Sequence, residues 1–170
     1  MSVGPRIAKD IGALGPPLVV AVVAVVFFAS GLRGIDFGQH WDEARHLNAA
    51  RATADSGLLL PRTYWYPSLT YALTFFSATP ELIASAFAHS SAPLKLALYA
   101  GAFTFRVRTV FLALSTCSIP LLYVAVFRFR KNAWEAALSA ALLATSFELA
   151  YHARWIAPDT IMVTFASLSV

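Results

Sequence analysis

Two adjacent carboxylates, Asp42 and Glu43, stand ten residues beyond a charge-free apolar run that closes at Leu32. A carboxylate within hydrogen-bond reach of a hydroxyl can take its proton as the oxygen attacks, so an acid fixed beside a membrane suits chemistry on a lipid-borne substrate. The pair lies in His40-Trp41-Asp42-Glu43, at the start of a helix-like stretch, and Tyr66-Pro67-Ser68-Leu69 follows. Neighbours in a helix point about 100° apart, so the two acids are not expected to share one role. Helix capping or simple solvation stays open for both. His40 and His46, with Asp42, Glu43 and Asp159, are residue types that suit several divalent ions. His40 and Asp42 lack the i, i+4 spacing of helical metal motifs, and no bound metal or other cofactor is expected.

The elements that would position these groups follow from composition. Hydrophobic residues make up 58% of 170 positions and charged residues 13%, with a mean hydropathy of +0.64, whereas about a quarter of a soluble domain is charged. An all-α, polytopic integral membrane protein is the expected class. The net charge of +4 matters less than where the charges fall, and no nucleic-acid partner is implied. The single cysteine, Cys117, lies in an apolar run and excludes an internal disulfide. From Ile11 to Leu32 there are 22 residues without a charge, enough at 1.5 Å each to cross ~30 Å of hydrocarbon.

Transmembrane helices are expected at 15–32, 109–127 and 133–151, with a fourth starting at 160–170, where the sequence given stops inside a helix and so reads as part of a longer protein. Placing the N-terminal 1–14, with Arg6 and Lys9, on the same cytoplasmic side as the turn 128–132, with Arg128, Arg130 and Lys131, satisfies the positive-inside rule. The 33–108 segment and the 152–159 link then share the outer face. That topology brings Asp42, Glu43, Arg106, Arg108, Arg154 and Asp159 to one side of the membrane.

Within the long outer segment, Ala44, Leu47, Ala50 and Ala54 recur every three or four residues among Arg45, His46 and Arg51, the pattern of an amphipathic interfacial helix. Gly57 ends it, Pro61 follows, and Pro67 opens a second helix. The stretches 68–79 and 94–105 are each ~12 residues, too short to span, so surface-lying or re-entrant helices are expected there. Trp41, Tyr64, Trp65, Tyr66, Tyr71 and Trp155 suit an aromatic interfacial belt; Trp65 and Tyr66 could instead stack on a sugar.

The acidic pair after the first span, Tyr66-Pro67-Ser68-Leu69, Arg108 ahead of Ile119-Pro120-Leu121-Leu122-Tyr123, and His152-x-Arg154-x-x-x-x-Asp159 together resemble the N-terminal part of GT-C fold membrane glycosyltransferases of the dolichyl-phosphate-mannose protein mannosyltransferase type. The resemblance implies a multi-pass enzyme, in a bacterial plasma membrane, that moves a sugar from a polyprenyl-phosphate carrier to a glycan, lipid or protein hydroxyl on the outer face, with inversion. It implies Asp42 as general base and Glu43 in a supporting catalytic position. It also implies substrate-binding positions at Arg108, Arg154 and Asp159, with His40, Trp65 and Tyr66 beside them. Arg108 would meet the phosphate of the leaving lipid, since a guanidinium binds phosphate through two parallel hydrogen bonds. For Arg106 and Arg108 an interfacial anchor remains an alternative; for Arg154 and Asp159, a structural ion pair or, at Asp159, a helix N-cap.

The chain departs from the family at Trp41, where proline is frequent, and lacks the second proline and the lysine of the aminoarabinose-transferring branch. The rival expectation is a non-catalytic GT-C-like subunit that binds a lipid carrier or partner helices. A transporter would carry ionisable groups near mid-span, and the expected spans have none.

Overall fold

The computed structural model describes residues 4–57, 63 and 65–169, with side chains from residue 14 onward. Arg6, Lys9, Pro61 and Tyr64 lie outside the described side chains, so the charge assigned to the N-terminal segment is not placed. Among the described residues there are nine helices and no strand: α1 (Gly4–Leu32), α2 (Glu43–Ser56), α3 (Ser68–Phe76), α4 (Thr79–Phe87), α5 (Ala92–Tyr99), α6 (Gly101–Arg130), α7 (Ala133–Thr145), α8 (Phe147–His152) and α9 (Pro158–Ser169).

The long helix α6 is the central post. It packs along α1, α7 and α9, while α1 also packs on α7. The short helices α2–α5 form a cap, in which α2 lies on α3 and α5, and α4 lies on α5. One core joins the cap to the start of α6 through Leu47, Phe75, Leu98, Phe103, Val107 and Phe111. A second fills the bundle with Val20, Phe27, Leu112, Ile119, Ala137 and Ala140. Alanines 136, 137, 140 and 144 are buried on one side of α7, and such small residues let helix backbones approach closely.

Two helical segments, Leu14–Leu32 and Gly101–Arg130, are long and apolar enough to cross a membrane. Their apolar surface is not used up by the core: Val25 is 66% exposed. Phe76, Ile83, Phe87 and Leu96 of the cap are exposed as well, although contiguous apolar patches are uncommon on monomers in water.

The helix ends differ from expectation in three places, each with a local cause. α6 runs from Gly101 to Arg130 rather than over 109–127, so Arg106 and Arg108 belong to the helix and project into the cap. The stretch expected to be continuous over 133–151 breaks at Ser146, whose backbone is extended and whose side chain accepts from Leu149 N, capping α8. α9 begins at Pro158, where a proline costs no hydrogen bond because first-turn N–H groups have no intrahelical partner. The turn after α6 is only Lys131 and Asn132. Asn132 accepts from the N–H groups of Trp134 and Glu135 and so starts α7.

The cap also corrects the reading of α2 as a helix lying on the membrane. Its apolar stripe, Leu47 and Ala50, is buried against Phe75 and Leu98, and the same buried face carries Glu43, His46 and Thr53. None of α3, α4 and α5 exceeds nine residues, about 14 Å of helix, less than half a crossing.

At the α1–α6 contact, a Cβ on Gly31 would stand 2.6 Å from Leu112 Cδ1, and Leu112 is buried. Gly31→Ala is therefore expected to cost about 1–3 kcal/mol by overpacking, read as a fall in thermal stability. In a Leu112→Ala background the same substitution should cost little; an equal cost in both backgrounds would show that the crowding lies elsewhere.

Candidate functional site

The loop between α1 and α2 curls inward with Gly34 and Gly38 at positive φ, so that the carbonyls of residues 35, 37 and 38 converge on one side chain of α6. That side chain is Arg108, 1% exposed. Its Nη1 donates to the carbonyls of Ile35 and Phe37 at 2.6 and 3.0 Å, and its Nη2 to that of Gly38 at 2.6 Å. Nε and Nη2 meet the two Glu43 oxygens at 2.8 and 2.7 Å. A guanidinium has five N–H donors, and here all five are taken. The rings of Phe37 and Trp155 flank the cation, 5.5 and 5.2 Å from Cζ, distances at which an aromatic face attracts positive charge.

Glu43 is equally enclosed, at 1% exposure. Besides Arg108 it accepts from His40 N and Ile156 N, both at 3.2 Å. Four donors on one buried carboxylate tie together the loop, α2, α6 and the segment before α9. Arg108 thus differs from its expected role. It is not presented to a ligand phosphate but neutralises Glu43, and it offers no spare donor.

Asp42 is placed quite differently. It precedes α2 but its side chain does not cap the helix, which removes that bland alternative. Although only 5% exposed, its carboxylate enters no arginine or lysine pair among the described residues. Oδ1 accepts from the Tyr66 hydroxyl. Oδ2 lies 3.9 Å from His40 Nδ1 and has no hydrogen-bond donor among the described residues. Burial, then the hydrogen bond to Asp42, push the Tyr66 phenol up to about 12, so at ordinary pH it is a donor and the Asp42 oxygen it meets is an acceptor.

Half-buried Tyr66 stacks one face of its ring on His46, with centroids 5.1 Å apart and planes at 14°. His46 is fully buried. Its Nδ1 meets the Asp42 carbonyl at 3.2 Å and its Nε2 meets Thr70 Oγ1 at 3.1 Å. A carbonyl only accepts, so Nδ1 carries the proton, while the single Thr70 hydroxyl proton can go either to Nε2 or to the Pro67 carbonyl 2.9 Å away. Burial holds the imidazole below its ordinary value of 6.5, which agrees with that tautomer. The unfolded chain then binds the proton that the folded chain refuses. Stability should fall as pH drops below 6.5 towards the lowered folded value, and be fully present above 6.5. Thermal melts of the wild type and of His46→Gln across that window check this: the acid-side loss should be absent in the variant.

The remaining expected residues are dispersed around this centre. His40 is half-buried, its ring 5.0 Å from Trp155 and its Nδ1 accepting from Asp42 N at 3.4 Å. Trp65 is 75% exposed, and the Arg45 guanidinium sits 5.0 Å from its ring and 5.7 Å from that of Trp41. Arg106 pairs with Glu81 at 2.5 Å. Arg154 and Asp159 do not pair. Asp159 faces His152 at 4.0 Å, with Glu148 on the other imidazole nitrogen at 3.4 Å, beside a cavity of about 560 Å³ between α7, α8 and α9.

Three contributors were not singled out from sequence: the carbonyls of the 35–38 turn, Thr70, and Trp155 as a buried wall rather than a belt residue. The only local signal was the i, i+4 spacing of Asp42 and His46, one helical turn. The His, Asp and Glu side chains also do not converge. Among the described residues no group of three or more could hold a metal ion, since His46 uses both nitrogens and Glu43 is saturated by Arg108. No family model matches the chain, and no curated protein or solved structure matches it either.

Proposed function

We propose that the chain is the N-terminal module of an integral membrane glycosyltransferase that moves a sugar from a polyprenyl-phosphate carrier to an acceptor hydroxyl on the outer membrane face, with Asp42 as general base. One observation carries the reading: of the two adjacent acids, Glu43 is fully neutralised, while Asp42 is buried with one oxygen held by Tyr66 and the other free of donors among the described residues. A buried carboxylate without a cation is costly to keep. Trp155 Nε1 and Tyr71 Oη, on rings that pack against His40 and His46 respectively, are buried polar atoms without partners among the described residues.

In this mechanism the acceptor oxygen attacks the anomeric carbon from the face opposite the phosphate. The new C–O bond forms as the bond to the phosphate oxygen breaks, and the acceptor proton passes to Asp42 Oδ2. The lipid phosphate leaves with the bonding electron pair, and the configuration at carbon inverts. Tyr66 fixes the carboxylate so that Oδ2 is the oxygen that takes the proton, a matter of orientation that enters the rate directly. Glu43 and Arg108 act at one remove, as positioning residues that hold the 35–43 loop.

The test is direct transfer. The full-length protein that contains this module, in lipid vesicles and given a polyprenyl-phosphate donor labelled in its sugar and a membrane extract as acceptor source, should move label into an acceptor with inverted linkage, whereas the module alone is not required to. Label that stays on the lipid, or is released only as free sugar, would sink the proposal. A non-catalytic module is the second reading, favoured by the wholly structural Glu43–Arg108 pair, and it predicts lipid binding without transfer.

A further inference from the structure

The turn that joins α6 to α7 carries a basic cluster at the far end of the bundle from Asp42. Arg128, Arg130 and Lys131 close the C-terminal end of α6, where cations complement the negative end of the helix dipole. One of the three is neutralised. Arg130 Nε meets one Glu135 oxygen at 2.9 Å, and Asn132 Nδ2 donates to the other at 3.0 Å. Arg128 and Lys131 are exposed, and among the described residues no carboxylate pairs with either. Glu135 is the only acid between positions 128 and 135, so the turn keeps two positive charges without counter-charge.

The height of the cluster follows from α6. Its charge-free stretch 109–127 is about 28 Å long at 1.5 Å per residue, close to the ~30 Å of a hydrocarbon layer, and Arg128 is the first charge beyond it. Two exposed aromatic rings are interleaved with the cations, Phe129 at 82% and Trp134 at 60%. Trp134 also lies against the start of the apolar segment of α1, where a Cβ on Gly15 would stand 3.4 Å from its Cζ2. The turn and that end of α1 therefore share one level. Aromatic rings settle where headgroups meet hydrocarbon, and unneutralised cations beside them favour headgroups of net negative charge. A soluble anion would satisfy the cations and leave both rings wet, whereas an anionic bilayer surface meets rings and cations together.

We propose that the α6–α7 turn is a docking surface for anionic phospholipid, with Arg128 and Lys131 against the headgroups and Phe129 and Trp134 within the headgroup layer. The surface requires the membrane-crossing length of α6 and is independent of the transferase proposal.

Native mass spectrometry of the full chain, purified in detergent and titrated with phosphatidylglycerol or with phosphatidylcholine of the same acyl chains, reads the preference. The wild type should retain phosphatidylglycerol more strongly. Arg128→Gln combined with Lys131→Gln should lower that preference about five-fold or more, the factor that one basic residue beside an anionic surface contributes. Both side chains are exposed, so the melting temperature of the double variant in phosphatidylcholine should match the wild type. Arg33→Gln removes an exposed cation just past the other end of α1 and should leave the preference unchanged. Equal retention of the two lipids by the wild type overturns the proposal, as does a preference that the double variant keeps. An equal loss in Arg33→Gln would reduce the effect to net charge, and displacement of phosphatidylglycerol by inorganic phosphate would reduce the surface to a free-anion site; either result also overturns it. A clear fall in the melting temperature of the double variant in phosphatidylcholine would assign the two cations to the structure of the turn instead.

Discussion

Asp42→Asn lowers sugar transfer by at least about a hundred-fold, the lower end of what a positioned general base contributes, while leaving the fold intact. Asparagine keeps the shape of the side chain and its Oδ1 still accepts from Tyr66, so the hydrogen bond that places residue 42 survives. What disappears is the oxygen that can take a proton. The expected signature is a fall in kcat with donor binding and melting temperature close to wild type, which separates loss of a base from loss of structure. Tyr66→Phe should act in the same direction but less severely, since the carboxylate remains and only its orientation is released. Undiminished transfer by Asp42→Asn would remove the base assignment, and with it the observation on which the proposed function depends.

Glu43→Gln and Arg108→Met each destabilise the protein by about 3–5 kcal/mol, the cost of leaving one member of a buried ion pair without its counter-charge. Arg108→Lys should fare little better than Met. An ammonium is a single point with three donors and cannot reach both Glu43 oxygens and the carbonyls of Ile35, Phe37 and Gly38. Combining Glu43→Gln with Arg108→Met should cost less than the sum of the two, because no buried charge is then left alone. Thermal unfolding of the four proteins measures that coupling. A lysine variant with native melting temperature and a raised KM for the donor would instead return Arg108 to the phosphate role that its sequence position suggests.

The exchange of roles around Arg108 shows what a single sequence can and cannot convey. Long apolar runs announce α1 and α6, each long enough to cover the thickness of a hydrocarbon layer, and the short, proline-broken stretches between them announce helices too short to do so. The all-helical character of the described residues follows from those patterns. The acid pair was visible too, as carboxylates beside an apolar run, but its division of labour was not. Glu43 meets an arginine 65 residues away, and nothing local distinguishes it from Asp42. Ser146 was hidden for the opposite reason: its effect is wholly local, but one serine inside an apolar stretch does not outweigh the hydrophobic period around it. Tyr66 was seen as an exposed ring because aromatics beside apolar runs are commonly interfacial. Only its partners, Asp42 and His46, turn it inward.

The Glu43 carboxylate binds groups that leave the ribosome at very different times. Arg108 emerges 65 residues after it and the Ile156 amide 113 residues after it. Until α6 has entered the bundle, Glu43 is an unneutralised charge on a nascent loop, and water must keep it soluble. Once Arg108 arrives, the loop closes over it, and the arrival of residue 156 seals the joint. The acid that flanks Asp42 thus acts as a latch on the order of biosynthesis: a chain interrupted between α6 and α9 would hold a half-closed loop, with the neighbouring Asp42 carboxylate not yet set in position.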